Sequence, residues 1–123
     1  MAIDANVPRG TVSDSLMTQV DASNVLAVHA LLAAQAESMA ATLRGANWLR
    51  ATPRCADDVV SVDAQKLFQA KIDTILDVHL AHLDEIVEAA ARLREAALQY
   101  RYTDADIAGA LVPARERLGL PGA

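Results

Sequence analysis

His79, His82 and Glu85 stand three residues apart, so on a helix they fall roughly along one face. Imidazole and carboxylate are zinc ligands, and an i, i+3 pair can converge on one ion. The zinc-protease helix needs His-Glu-x-x-His with the general base between its ligands, and that motif is absent. The only other imidazole is His29, which the periodicity places on a partner helix. These histidines therefore read as interface residues packed beside alanine, with pH-dependent pairing as their one functional trace. Asp84, Glu85 and Glu88 make an acidic group, yet no facing helix offers the second acidic pair that di-metal chemistry requires. Cys55 is the single cysteine, which rules out an intrachain disulfide; in its polar connector it reads as a free thiol, the alternative being a link between two chains under oxidising conditions. It lies far from the histidines in a helical hairpin, so no Cys–His nucleophile forms. There is no glycine-rich phosphate loop. No enzymatic chemistry, metal or cofactor is expected.

One further constellation remains, the run Tyr100-Arg101-Tyr102-Thr103-Asp104-Ala105-Asp106. Tyr100 with Asp104, and Tyr102 with Asp106, each set a tyrosine one helical turn from a carboxylate. On physical chemistry alone this is a helix end with solvated acids and an amphipathic aromatic.

The element that must carry these residues is the long stretch Ser61 to Tyr102, which contains no Pro or Gly. Phe68, Ile72, Ile75, His79, His82, Ile86, Leu93 and Tyr100 recur along it at helical spacing, with Leu76, Leu83, Val87, Ala90 and Ala97 beside them. Ser61 is expected to cap it, with Asp63 in its first turn. A first helix starts near Asp21 or Ser23, carries Val25, Val28, Leu32, Ala36, Met39 and Leu43 on its stripe, and stops at Gly45. Pro53 and Asp57-Asp58 mark the connector, and Trp48 and Leu49 are expected to tuck against the hairpin end. Residues 1–20 read as a flexible arm in which Leu16, Met17 and Val20 could add a turn or two of helix. Residues 21–111 are the hairpin domain. Ile107 and Leu111 occupy a short further turn, and Pro113 opens a flexible tail over 112–123.

The chain has 123 residues and a net charge of −5 with dispersed arginines, which opposes nucleic-acid binding. The start, MAIDANVPRG, has no apolar core of a signal peptide, and the apolar run Val25 to Ala36 is too short to span a bilayer. The fold class is all-α: an antiparallel helical hairpin with a long second helix. Pairing the first helix back from the connector would cover the second only to about Glu85, leaving Ile86 to Tyr100 uncovered. The interface residues on this reading are Phe68, Ile72, Ile75, Leu83, Ile86, Val87 and Leu93. A four-helix bundle formed on dimerisation would hide them.

With that pattern set out, the chain resembles the small helical-hairpin substrates of type VII (ESX) secretion, which include the WxG-type proteins, PE domains and EspC-like proteins. Their export signal is Tyr-x-x-x-Asp/Glu just after the second helix, and Tyr100 with Asp104 matches it; Tyr102 with Asp106 is an overlapping match. The PE connector, typically Ala-Asp-Glu-Val-Ser before a helix with an early Phe, is similar to Ala56-Asp57-Asp58-Val59-Val60-Ser61 followed by Leu67-Phe68. Trp48-Leu49-Arg50 departs from Trp-x-Gly, and Pro8-Arg9 departs from the Pro-Glu of PE proteins. The resemblance implies export without a cleaved signal after a cytoplasmic pool. It also implies a homodimer or heterodimer with another hairpin protein, and recognition by the export ATPase or its adaptors, with no nucleic acid and no membrane insertion. The other reading of the same helices is a cytoplasmic coiled-coil adaptor or structural homodimer that is never exported.

Overall fold

The structure is a computed structural model, and it describes residues 11–53 and 58–121. It is all-helical, without a strand among the described residues. The helices are α1 (Thr11–Met17), α2 (Val25–Gly45), α3 (Val59–Gln99) and α4 (Asp104–Arg117), with a 3-10 turn over Asn47–Ala51.

Helix starts follow side-chain chemistry. Before α2, Asp21 and Asn24 exchange reciprocal bonds: the Asn24 amide donates to the Asp21 carboxylate at 3.1 Å, and the Asp21 amide donates to Asn24 Oδ1 at 2.9 Å. Asp58, rather than Ser61, caps α3, its carboxylate accepting from the Ser61 amide at 3.3 Å. The carboxylate one position before the helix has the reach that a residue already inside the first turn lacks. Gly45 does not reverse the chain; α2 ends there and Ala46 leads into the 3-10 turn.

α2 runs back along α3, but the register differs from the expected one. Val25 packs with Leu93, Ala97 and Ile107, while Leu43 shares a groove with Leu76, Leu80 and Leu83. The 21 residues of α2 therefore cover the C-terminal half of the 41-residue α3. The 3-10 turn takes up the stretch before that. Gln69 Nε2 donates to the Leu49 carbonyl at 2.8 Å, Thr52 donates twice to Gln69 Oε1, and Arg50 reaches Asp77 at 2.8 Å. Residues 47–52 lie along α3 instead of turning tightly, and α2 is set toward the far end. The uncovered part of α3 is thus its beginning, and not Ile86 to Tyr100.

Two further helices close that far end. α1 brings Leu16 and Met17 onto the first core, and Asp14 pairs with Arg92 at 2.6 Å. The arm expected over residues 1–20 therefore contains a helix over Thr11–Met17, and its Leu16, Met17 and Val20 are packed. α4 contributes Ile107 to the same core, and its Ala114 meets Ala30 and Ala34, where small side chains let two helices approach closely. α4 runs through Pro113 to Arg117, so the expected tail is helix for most of its length. Pro113 forfeits one helical hydrogen bond. The packing of Ala110 and Leu111 holds the helix before it, and the burial of Ala114, the Arg115–Glu37 ion pair and the packing of Leu120 hold it after.

Taken as one stretch, Val25–Ala51 is long and apolar enough to cross a membrane by length and composition, at mean hydropathy 1.3. It extends well beyond the apolar run Val25 to Ala36, which alone is too short to span a bilayer. In the fold it lies on α3 and α4, with Glu37 and Arg50 in ion pairs.

Candidate functional site

α3 ends in a left-handed turn built from the Tyr100–Asp104 segment itself. The Arg101 amide donates to the Leu98 carbonyl at 2.9 Å and the Tyr102 amide to the Ala97 carbonyl at 3.1 Å, a Schellman pair. It requires Arg101 at φ 76, a conformation usually left to glycine. Thr103 then opens α4 with a capping box: its hydroxyl accepts from the Asp106 amide at 3.1 Å and its amide donates to the Asp106 carboxylate at 2.9 Å.

These bonds sort the two candidate tyrosine–acid pairs. Tyr102 is half-buried against the first core, and its hydroxyl donates to the Ala22 carbonyl at 2.6 Å. Asp106 is consumed by the cap. Both members of that pair do structural work. Tyr100, at the helix C-cap, is 44% exposed. Asp104 is exposed as the first residue of α4, and its carboxylate takes the Arg94 guanidinium at 2.5 Å. The two are not on one helix, because the left-handed residue intervenes, and no hydrogen bond joins them. They stand four residues apart as separate exposed groups on one turn, with Arg94 paired to Asp104. Arg94 was not among the sequence candidates; its spacing of ten residues from Asp104 belongs to no helical pattern and becomes a contact only through the turn.

The interface residues divide. Leu93 is 0% exposed and belongs to the interior of this chain, so it is removed from the partner surface. Ile86 is half-buried, Leu83 and Ile72 each line grooves, and Val87 is exposed. Phe68 is 65% exposed, with Leu67, Ile75 and Val78 similarly open. Ala64, Phe68, Lys71, Ile75, Val78 and His82 are all exposed and alternate in steps of four and three, the spacing of a coiled-coil seam. A shallow groove of about 290 Å³ runs between Phe68 and the connector residues Thr52 and Pro53, and a second of about 440 Å³ lies among Leu43, Leu76, Leu80 and Leu83. Trp48, expected to tuck in, is 65% exposed. At three residues per turn the 3-10 segment can aim Leu49 and Arg50 at α3 only by turning Trp48 outward.

His82 sits 3.9 Å from Glu85, both exposed. His79 is exposed, and His29 is buried on α2 away from them. Among the described residues no group of three or more His, Cys, Asp or Glu is placed to hold a metal ion. Cys55 lies outside the described residues. No family model, curated protein or solved structure matches this chain.

Proposed function

We propose that this chain is a type VII secretion substrate or secretion-associated protein that works by helix pairing and by display of the Tyr100–Asp104 corner. The observation that carries the reading is the division of labour at that corner. Tyr102 and Asp106 are tied into the fold, while Tyr100 and Asp104 stand exposed at the end of the long helix. An export ATPase or adaptor would read the phenol, the carboxylate and the adjoining guanidinium as one surface.

The partner, another helical-hairpin protein or a second copy, would lie on the first half of α3. Ala64, Phe68, Lys71, Ile75, Val78 and His82 form its seam, and a four-helix bundle results. Exposed apolar surface of this regularity marks an interaction face. A Lys at one seam position costs affinity and selects the partner, because its charge must meet a carboxylate or escape to the rim.

The test is export. Tyr100→Ala is expected to abolish appearance in culture filtrate while circular dichroism of the purified variant stays unchanged; unaltered export would refute the signal. The same seam equally serves a coiled-coil adaptor that never leaves the cytoplasm, and recovery of the wild-type protein only from lysate would favour that reading.

A further inference from the structure

The described interior holds one histidine that neither the corner nor the seam employs. His29 is 7% exposed, and its Nδ1 has no hydrogen-bond partner. It sits one turn after Val25, which packs with Leu93, Ala97 and Ile107, and next to Ala30, which packs with Ala114. It thus lies where α2 meets both α3 and α4.

The charged groups around it are few and committed. Arg94 of α3 is the one that acts on it, and the guanidinium is held by Asp104 at the start of α4. Arg92 of α3 engages Asp14 of α1, Arg115 of α4 engages Glu37, and Glu37 is the nearest charged residue of α2 itself, two turns away. Glu88 of α3 is half-buried with its Oε2 enclosed, and neither it nor a carboxylate of these pairs acts on the imidazole as Arg94 does. Burial, and secondarily the Arg94 charge, hold the His29 pKa below its ordinary 6.5.

We propose that His29 is a proton-operated latch: neutral while α4 is docked, it releases α4 from α2 and α3 when it takes up a proton. The physical reason is that an imidazolium carries an N–H at both nitrogens. At Nδ1 that donor would be buried without an acceptor, and the new charge would stand beside Arg94. The element that can yield is α4. Of the two helices that meet α2 there, it is the less extensively held: it touches α3 only slightly, and α2 through Ala114 on Ala30 and Ala34, Ile107 on Val25 and the Arg115–Glu37 pair. Release would carry Asp104 away from Arg94. If the Tyr100–Asp104 corner is an export signal, as proposed above, acid would then dismantle it; this last step alone depends on that reading.

Hydrogen–deuterium exchange on the purified full chain at pH 7.0 and 5.5, corrected for intrinsic rates, tests the latch without reference to export. The amides of α4 are expected to lose protection several-fold relative to those of mid-α3, the sign set by the lowered proton affinity of the folded imidazole. His29→Leu is expected to abolish that acid-dependent loss; His29→Gln serves if the leucine variant does not fold. The same loss in the variant, or no differential loss in the wild type, overturns the proposal. So does an NMR titration of the His29 ring with its midpoint at or above 6.5, whichever variants fold.

Discussion

The Tyr102 hydroxyl donates to the carbonyl of Ala22 across a separation of 80 residues, at 2.6 Å. The bond staples the turn before α2 to the turn after α3, and it is the reason Tyr102 is a poor candidate for recognition. Removing only the hydroxyl, in Tyr102→Phe, is expected to cost about 1 kcal/mol, lowering the melting temperature by roughly 2–5 °C. Tyr100→Phe, whose ring is not stapled, should leave it unchanged. Calorimetry on the two variants makes the comparison.

Leu93 is the largest fully buried side chain among the described residues. Leu93→Ala is expected to destabilise the chain by roughly 3–5 kcal/mol through lost transfer energy and a cavity that the packed helices cannot close. Phe68→Ala, a larger deletion at an exposed site, should cost far less. Urea unfolding midpoints, compared at low concentration, would invert this order if Leu93 faced a partner and Phe68 the interior.

Arg101 holds a left-handed conformation that a side chain disfavours. Arg101→Gly is expected to stabilise the chain by about 0.5–1 kcal/mol, since the two Schellman bonds survive and the steric cost goes. α4 already closes this way, with Gly119 at φ 69 and the Leu120 amide on the Arg115 carbonyl at 3.0 Å. A lower melting temperature in the glycine variant would contradict the turn geometry.

Phe68→Glu places a charge in the middle of the exposed seam. It is expected to leave the far-ultraviolet spectrum and melting temperature of the isolated chain within error while weakening association by about tenfold or more, read by sedimentation-equilibrium measurements on the pure protein or on its complex. Val87→Glu, also exposed but off the seam, is the control and should associate normally.

Stability is expected to fall in two separate steps on acidification. The unfolded chain takes up a proton at His29 near pH 6.5, while the folded chain does so only at lower pH, so stability drops as pH falls from 6.5 toward the depressed folded value. Asp21 and Asp58 behave oppositely in charge but alike in direction. Hydrogen bonds from Ser23 and Ser61 respectively hold their carboxyls below 3.8, so the stability they add is present above 3.8 and lost as pH falls through the lower folded values. Urea midpoints across pH 3 to 7.5 should show both steps, and His29→Leu should erase only the upper one.

Helical character, and the faces on which Val25, Leu93 and Ala97 lie, could be read from spacing alone, because a 3.6-residue period is a local property of the chain. So could the Tyr100–Asp104 segment as a place where a helix ends. The caps were legible in kind and displaced by a few residues, since Asp58 and Ser61 are both good capping types and only the backbone path selects between them. The chain's own letters also held Leu16, Met17, Ile107 and Leu111, but nothing local says whether such short segments fold back.

Which residues are apolar, and at what period, is written in the chain; which of them are covered follows from how the helices pack. Along α3 the same stripe is open at Phe68 and closed at Leu93. The difference arises because the connector lies down on Gln69, Asp73 and Asp77 through Leu49, Arg50 and Thr52 and sets the register of α2. Register depends on bonds between residues far apart in the chain, and no period within one helix encodes it.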